Sequence, residues 1–162
     1  LEILSDQMKE KKASRKYIAL VDGVIPHNLG KVNAPIGRDP KNRQRMACVE
    51  GGKPAVTNFK VIQRYAENTL VECTLETGRT HQIRVHLSHH KLPIIGDGTY
   101  NPRNLIAKDT PKHLIACIQN FPRQALHASK LSFQGLNSTN IHEFEADIPE
   151  DMQSLVKMMQ QP

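Results

Sequence analysis

The sequence predicts an α+β fold in which a largely antiparallel β-sheet is flanked by helices. Segments in which apolar and polar residues alternate outnumber the segments with a helical period. Short stretches rich in glycine, proline or asparagine separate neighbouring strand candidates, as in antiparallel sheets. With 162 residues and no internal repeat, the chain is long enough to bury the core of one domain.

The first third of the chain is expected to contain one helix followed by strands. Within residues 1–12, apolar side chains share one helical face: Leu1, Leu4 and Met8. Residues 15–25 are rich in β-branched and aromatic side chains and predict a strand. Residues 30–45 contain two prolines, two glycines and many cations, which indicates a long loop or an irregular hairpin. Residues 46–65 are expected to form two strands around the Gly51-Gly52 turn.

A strand-to-helix junction is predicted in the middle of the chain. Alternate apolar positions predict a half-buried strand: Val71, Cys73 and Leu75. Side chains then recur at helical spacing: Ile83, His86, Leu87 and His90. Thr80 is placed to cap the helix after Gly78, and Pro93 lies beyond its end.

The last third of the chain predicts a hairpin and a closing helix. Residues 111–122 are apolar but do not indicate one type of element. Residues 124–133 and 141–148 alternate well, so we expect an antiparallel hairpin. Residues 149–159 predict a helix with Pro149 in its first turn. Its apolar face is expected to be core: Met152, Leu155, Val156 and Met159.

Composition indicates a basic protein without a disulfide framework. Lysine and arginine number 22 against 16 acidic residues, and the pI of about 9.3 favours an anionic partner. No apolar run approaches the length needed to cross a membrane, so we expect no membrane association. Three widely spaced cysteines support neither disulfides nor a cysteine zinc site: Cys48, Cys73 and Cys117. A cytoplasmic location is expected.

A cluster of histidines raises the possibility of a metal site: His81, His86, His89 and His90. His86 and His90 have the i, i+4 spacing of metal ligands, but no His-Glu-x-x-His pattern or cysteine pair accompanies them. We therefore expect surface or capping histidines and no metal. The sequence also has no Gly-x-Ser-x-Gly elbow and no phosphate-binding P-loop.

Two features are compatible with nucleic-acid binding. Four cations lie close together in the predicted loop: Arg38, Lys41, Arg43 and Arg45. They suit a phosphate backbone, and on spacing alone a merely solvated loop is equally compatible. Aromatic residues make up only 4% of the chain, which excludes a stacking platform for several bases. Tyr17 follows two cations and is either an ordinary strand aromatic or the face on which one flipped base stacks.

Several motifs in the same order identify a family resemblance. "TGRTHQIRVHL", "PIIGDGTY" and "RQALHA" resemble the RluA branch of the pseudouridine synthases, as do "KYIALVDG", "GKPAVTNFKVI" and "IPEDMQSLVKMM". Within that branch the chain is most similar to the D type that acts on large-subunit ribosomal RNA. The resemblance implies the mixed sheet of that catalytic domain and isomerisation of uridine in RNA without cofactor or metal. RNA would be the partner, and a full-length protein would be a monomer.

The resemblance also implies site residues. Tyr17 matches the tyrosine that stacks on the flipped base, Ile83 an aliphatic residue of the pocket, and Arg84 the arginine that pairs with the nucleophilic aspartate. An arginine would keep a buried carboxylate ionised and fix its direction. We also expect five cations to bind RNA: Arg38, Lys41, Arg43, Arg45 and Arg79.

One family motif has no match. The nucleophilic aspartate lies in a His-Arg-Leu-Asp segment that is absent from these 162 residues. Asp97, in a different motif, is expected to anchor its own turn. We therefore expect residues 1–162 to be the C-terminal part of one catalytic domain, inactive alone and completed by an upstream segment. The alternative is a non-catalytic RNA-binding domain of the same fold.

Overall fold

The predicted α+β architecture is confirmed by a computed structural model, which describes residues 13–104, 106–135 and 140–161. The eight strands of this part of the chain are β1 (Ser14–Asp22), β2 (Leu29–Asn33), β3 (Ile36–Asp39), β4 (Asn42–Cys48), β5 (Val56–Arg64), β6 (Asn68–Leu75), β7 (Leu126–Gln134) and β8 (Ile141–Glu145). Its three helices are α1 (Gln82–His89), α2 (Lys112–Gln119) and α3 (Glu150–Gln160). The helix predicted in residues 1–12 lies outside the described residues.

Six strands form one antiparallel sheet in the order β2-β5-β6-β1-β7-β8. β1 and β6 lie in its middle, and their apolar side chains form most of the main core with residues of α1, α2 and α3. The predicted alternation of β6 is confirmed, because Val71, Cys73 and Leu75 are buried while Glu72 and Thr74 are partly exposed. The two central strands therefore have their positions fixed by buried contacts.

The basic segment forms a separate two-stranded hairpin of β3 and β4. The two strands expected around Gly51-Gly52 are confirmed as β4 and β5, but they do not pair with each other: β4 pairs with β3, whereas β5 pairs with β2 and β6. Ile36 and Lys53 exchange two backbone hydrogen bonds of 2.9 Å, which hold the end of the glycine turn against β3. A small apolar cluster containing Ile36, Ala55 and Val85 then attaches the hairpin to α1.

The C-terminal predictions are confirmed in the described residues. β7 and β8 pair antiparallel, and the uncertain segment 111–122 contains α2. Pro149 lies just before α3 rather than in its first turn. Three of the four predicted core residues of α3 are buried and the fourth packs on the core: Met152, Leu155, Met159 and Val156.

Two further features concern the lengths of the helices and the state of the cysteines. None of the helices in residues 13–104, 106–135 and 140–161 is long and apolar enough to span a membrane. All three cysteines are free, and Cys73 is fully buried in β6.

Candidate active site

A cavity of about 260 Å³ lies where β1, β7 and the junction between β6 and α1 meet. Tyr17 from β1 and Ile83 and Arg84 from α1 all line it. The structure therefore brings the three residues of the predicted pocket together, although 66 residues separate the first two in the sequence. The volume is slightly below the roughly 300–1,000 Å³ of pockets for drug-sized ligands, which suits one small ring.

Tyr17 is aimed into the cavity by its place in the sheet. The pairing of β1 with β7 shifts register between Lys16 and Tyr17, and such a bulge bends a strand and redirects its side chains. Arg15 Nη2 donates a 2.7 Å hydrogen bond to the Tyr17 hydroxyl. Arg15 also lines the cavity. It is not among the site residues predicted from the sequence, although it is one of the two cations that precede Tyr17.

Gln82 braces the junction that carries Ile83 and Arg84. Its amide oxygen accepts hydrogen bonds from the Thr77 hydroxyl and the Arg79 backbone N–H, at 2.7 and 3.0 Å. Its amide nitrogen donates to the Val56 carbonyl and to Thr57 Oγ1, at 3.0 and 2.9 Å. All four hydrogen-bonding positions of this buried amide are therefore used.

The predicted Thr80 cap is wrong. α1 begins at Gln82, after His81, whose backbone is left-handed with φ of 54° and whose side chain makes no capping bond. The Gln82 side chain instead accepts from the Arg79 N–H just before the helix. A left-handed conformation is uncommon for a residue other than glycine and often occurs at functional sites.

Arg84 is fixed by Asp97. Nε and Nη2 of the guanidinium donate 2.8 Å hydrogen bonds to the two oxygens of the Asp97 carboxylate. Asp97 is fully buried, and the Arg84 side chain is only 13% exposed. Asp97 Oδ1 also accepts from the backbone amides of Thr99 and Tyr100, both at 3.1 Å. Asp97 thus anchors its own turn, as expected, and also holds the arginine of the cavity.

The electrostatics of this pair favour two charged groups. Burial would raise the pKa of Asp97, but the Arg84 hydrogen bonds and charge, together with the Tyr100 and Thr99 amides, outweigh burial and lower it. Hydrogen bonding to Asp97 raises the pKa of Arg84 further. Within the described residues, Nη1 of Arg84 makes no hydrogen bond, so this edge of the guanidinium remains available for a second anion.

Tyr100 extends the site behind Arg84. The Arg84 guanidinium lies 5.0 Å from the centre of the Tyr100 ring, a cation–π distance. The Tyr100 hydroxyl accepts from the Met46 amide at 3.0 Å and lies 2.9 Å from His81 Nδ1. Burial, and then the charges of Arg84 and Arg38, lower the pKa of His81. This shift favours a neutral His81, whose Nδ1 can accept a hydrogen bond from the Tyr100 hydroxyl when the ring proton is on Nε2.

The histidine cluster does not form a metal site in the described part of the chain, where no group of three metal-ligating side chains occurs. His86 corrects the expectation of surface or capping histidines, since it is fully buried. Its Nε2 lies 2.9 Å from the Ala34 carbonyl and its Nδ1 2.8 Å from Thr57 Oγ1. The carbonyl can only accept, so Nε2 is the donor and the Thr57 hydroxyl donates to Nδ1. His86 therefore joins α1 to the sheet.

The five cations predicted to bind RNA occupy different settings. Lys41 and Arg43 are exposed on the β3–β4 hairpin. Arg45 donates to Asp39 at 2.8 Å, so its charge is partly neutralised. Arg38 extends from β3, and Arg79 precedes α1, where its Nε donates to the Pro54 carbonyl at 2.8 Å. Of the five, only Arg79 lines the cavity that contains Tyr17.

No carboxylate lines that cavity among the residues that the structure describes. Asp97 cannot act as a nucleophile there, because it is fully buried and both of its oxygens already accept hydrogen bonds. These residues can therefore hold a flat ring and a negatively charged group, but they do not themselves supply the attacking oxygen.

Comparisons with known proteins identify the family of this chain. The family of RNA pseudouridylate synthases matches residues 1–89. An uncharacterized RNA pseudouridine synthase, YlyB, of Bacillus subtilis (strain 168) is 46% identical over 156 residues, covering 96% of this chain and 47% of that protein. The ribosomal large subunit pseudouridine synthase D of Neisseria meningitidis serogroup A is 46% identical over 155 residues, covering 94% of this chain and 40% of that protein.

The fold agrees with a solved human structure. Human RNA pseudouridylate synthase domain containing 1 is similar with a TM-score of 0.68 and 25% identity, covering 99% of this chain and 71% of the other. The chain spans less than half of the length of the two bacterial relatives. Because the family match covers more than half of its residues, the chain belongs to the RNA pseudouridylate synthase family.

Proposed function

We propose that this chain forms the substrate pocket of an enzyme that isomerises uridine to pseudouridine in RNA, with large-subunit ribosomal RNA as the substrate. One observation carries the proposal: Tyr17, Ile83 and Arg84 line a single cavity of about 260 Å³, and Asp97 orients the arginine. The names of the bacterial relatives support the choice of RNA. A cytoplasmic location is part of the same proposal.

The reaction requires that the uracil base is held in place and that a carboxylate nucleophile is oriented toward it. The bond between uracil N1 and ribose C1′ is broken, the ring turns, and C5 bonds to C1′. C5 then loses its proton and N1 gains one, so the atoms balance. This is an isomerisation with no net redox change. Tyr17 provides a face on which one extruded base stacks, and Ile83 provides an apolar wall at the cavity.

Arg84 directs the nucleophile in this proposal. Its Nε edge is held by Asp97, and its Nη1 edge is available to an aspartate contributed by another part of a longer protein. A guanidinium there keeps that aspartate ionised as the pocket closes, because burial alone would favour the protonated acid. We propose that residues 1–162 are the C-terminal part of one catalytic domain and that the chain alone is inactive.

The alternative is an RNA-binding domain that does not isomerise. The observation in its favour is that no described residue of the cavity carries a carboxylate. The two functions differ in one product: only the enzyme makes pseudouridine.

The experiment uses the full-length protein that contains this chain. It is incubated with large-subunit ribosomal RNA prepared without modification, and pseudouridine is identified by mass spectrometry of nuclease digests. The proposal predicts one or a few converted uridines. Binding of the RNA with no conversion by the full-length protein would overturn the enzyme and support the binding domain.

A further inference from the structure

A second cavity adjoins the one that contains Tyr17. It has a volume of about 410 Å³ and lies between the β3–β4 hairpin, the Gly51-Gly52 turn and residues 78–80. Gly78 and Arg79 line both cavities, so the two spaces share a wall. We call the second cavity the hairpin groove. It is larger than the cavity proposed for the base, so it accommodates more than one small group.

The hairpin groove is cationic. Three of the residues that line it are Arg38, Lys53 and Arg79, and none of its described lining residues is acidic. None of these cations forms an ion pair within the part of the chain that the structure describes. Arg45, on the same hairpin, is instead paired with Asp39. Three cations without an ion pair among the described residues therefore lie in a groove beside the cavity that contains Tyr17.

The backbone positions of these cations are fixed before any ligand binds. Lys53 is held to Ile36 by two backbone hydrogen bonds of 2.9 Å. Arg79 is held through its Nε, which donates to the Pro54 carbonyl next to Lys53. An anchored backbone removes the part of the entropy cost of binding that cations on a mobile loop would add.

The wall of the groove is built from main chain as well as from cations. A side chain at Gly52 would come within 2.7 Å of the Ile36 backbone, so only glycine lets the turn lie this close to β3. Gly37 and Gly51 line the same space. A side chain at Gly51 would meet nothing within 4 Å, so a ligand can approach the backbone there, as phosphate groups do at glycine-rich turns.

We infer that the hairpin groove binds the phosphodiester backbone of the RNA strand next to the extruded uridine. This inference rests on the proposed function and assigns a path to the strand. The strand passes from the cavity with Tyr17, across Arg79, to Lys53 and Arg38. Lys53 had no role in the sequence-based prediction, and the shared wall at Arg79 is what assigns one to it.

The test is the salt dependence of RNA binding by the full-length protein that contains this chain and carries Lys53→Gln. Binding of a short uridine-containing single-stranded RNA is followed by fluorescence anisotropy over a series of KCl concentrations. Loss of one phosphate contact lowers the magnitude of the slope of log K against log salt by about 0.7. The matched control is Lys157→Gln, which removes the same charge from an exposed position on α3 that lines neither cavity.

The outcomes separate this inference from the proposed function. A reduced slope for Lys53→Gln and an unchanged slope for Lys157→Gln support the groove, even if the full-length protein makes no pseudouridine. Equal slopes for Lys53→Gln and the unsubstituted chain, or equal reductions in both variants, overturn it, even if the full-length protein is an active enzyme. In an active enzyme, Lys53→Gln should also raise KM for RNA, because a phosphate contact binds ground state and transition state alike.

Discussion

Replacing Asp97 with asparagine tests the buried pair that holds Arg84. Both oxygens of the carboxylate accept N–H donors: Oδ2 from Nε of Arg84, and Oδ1 from Nη2 of Arg84 and from the Thr99 and Tyr100 amides. In either orientation an asparagine amide would place a donor against a donor. The substitution also leaves the Arg84 charge without its partner at a site where Asp97 is fully buried.

Breaking a buried ion pair by removing one partner costs about 3–5 kcal/mol. For a chain of this length each kcal/mol lowers Tm by roughly 2–4 °C, so we expect a loss of roughly 6–20 °C for Asp97→Asn. The difference between the two proteins should shrink as pH falls below about 3.9, the ordinary aspartate pKa. The reason is that the pKa of Asp97 is lowered in the fold, so its stabilisation is present above that pH and is lost in acid.

The chain contains a matched control for burial. Arg123 donates to both oxygens of Asp151 at 3.0 and 2.9 Å, the same bidentate geometry. This pair is more than a third exposed, so Asp151→Asn should cost at most about 1 kcal/mol. Thermal unfolding followed by circular dichroism measures both variants. Equal losses of Tm would refute the reasoning, because burial would then not distinguish the two pairs.

Three further predictions concern single side chains. In an active full-length enzyme, Tyr17→Ala should lower kcat/KM by roughly 5- to 150-fold, since stacking of one base contributes about 1–3 kcal/mol. Tyr17→Phe keeps the aromatic ring, so its kcat/KM should fall less. Equal decreases in kcat/KM for the two variants would exclude stacking. The free energy of unfolding should fall between pH 7 and pH 5, because burial lowers the pKa of His86 in the fold. In the unfolded chain the same histidine becomes protonated near pH 6.5, which favours unfolding. A His86→Asn variant with the same pH profile as the unsubstituted protein would contradict this. Burial, and then the Glu72 charge, raise the pKa of Cys73 to about 12. Iodoacetamide at pH 8 should therefore modify the partly exposed Cys117 well before Cys73. Peptide mass spectrometry measures the order of modification, and equal rates at the two cysteines would refute the prediction.

Local patterns were sufficient for the elements that pack directly on the core. β1 and β6 have strong alternation or β-branched composition, and α3 carries its apolar stripe at helical spacing. Each of these signals is created by burial of one face, and the structure confirms that burial. The strand-to-helix junction was predicted for the same reason.

Pairings between distant segments were beyond these patterns. The pairing of β4 with β3 and the two hydrogen bonds between Ile36 and Lys53 are made by backbone groups, which have no sequence signature. The start of α1 was also misplaced, because Gln82 takes the role that spacing assigned to Thr80. A glutamine that braces a helix from inside has no recognised capping pattern.

Part of the site was predicted from the sequence, and part of it was not. Tyr17, Ile83 and Arg84 were named through the family resemblance, and the structure places them around one cavity. The contact of Arg84 with Asp97 was not predicted, because the turn motif that contains Asp97 already explained that residue. The only indication of this contact was that a buried arginine needs an anion as a partner. The site in the structure satisfies that need from within the chain.

The rate of uridine isomerisation after substitution of Arg84 tests the central claim most directly. Single-turnover rate constants are measured with saturating RNA for full-length Arg84→Met and for Arg123→Met, an arginine outside the cavity. If Nη1 of Arg84 directs the nucleophile, the rate constant of Arg84→Met should be at least roughly 100- to 1,000-fold lower, the range for a lost electrostatic contact. The control should stay within about threefold of the unsubstituted enzyme. An Arg84→Met enzyme that reacts as fast as the control would contradict the account.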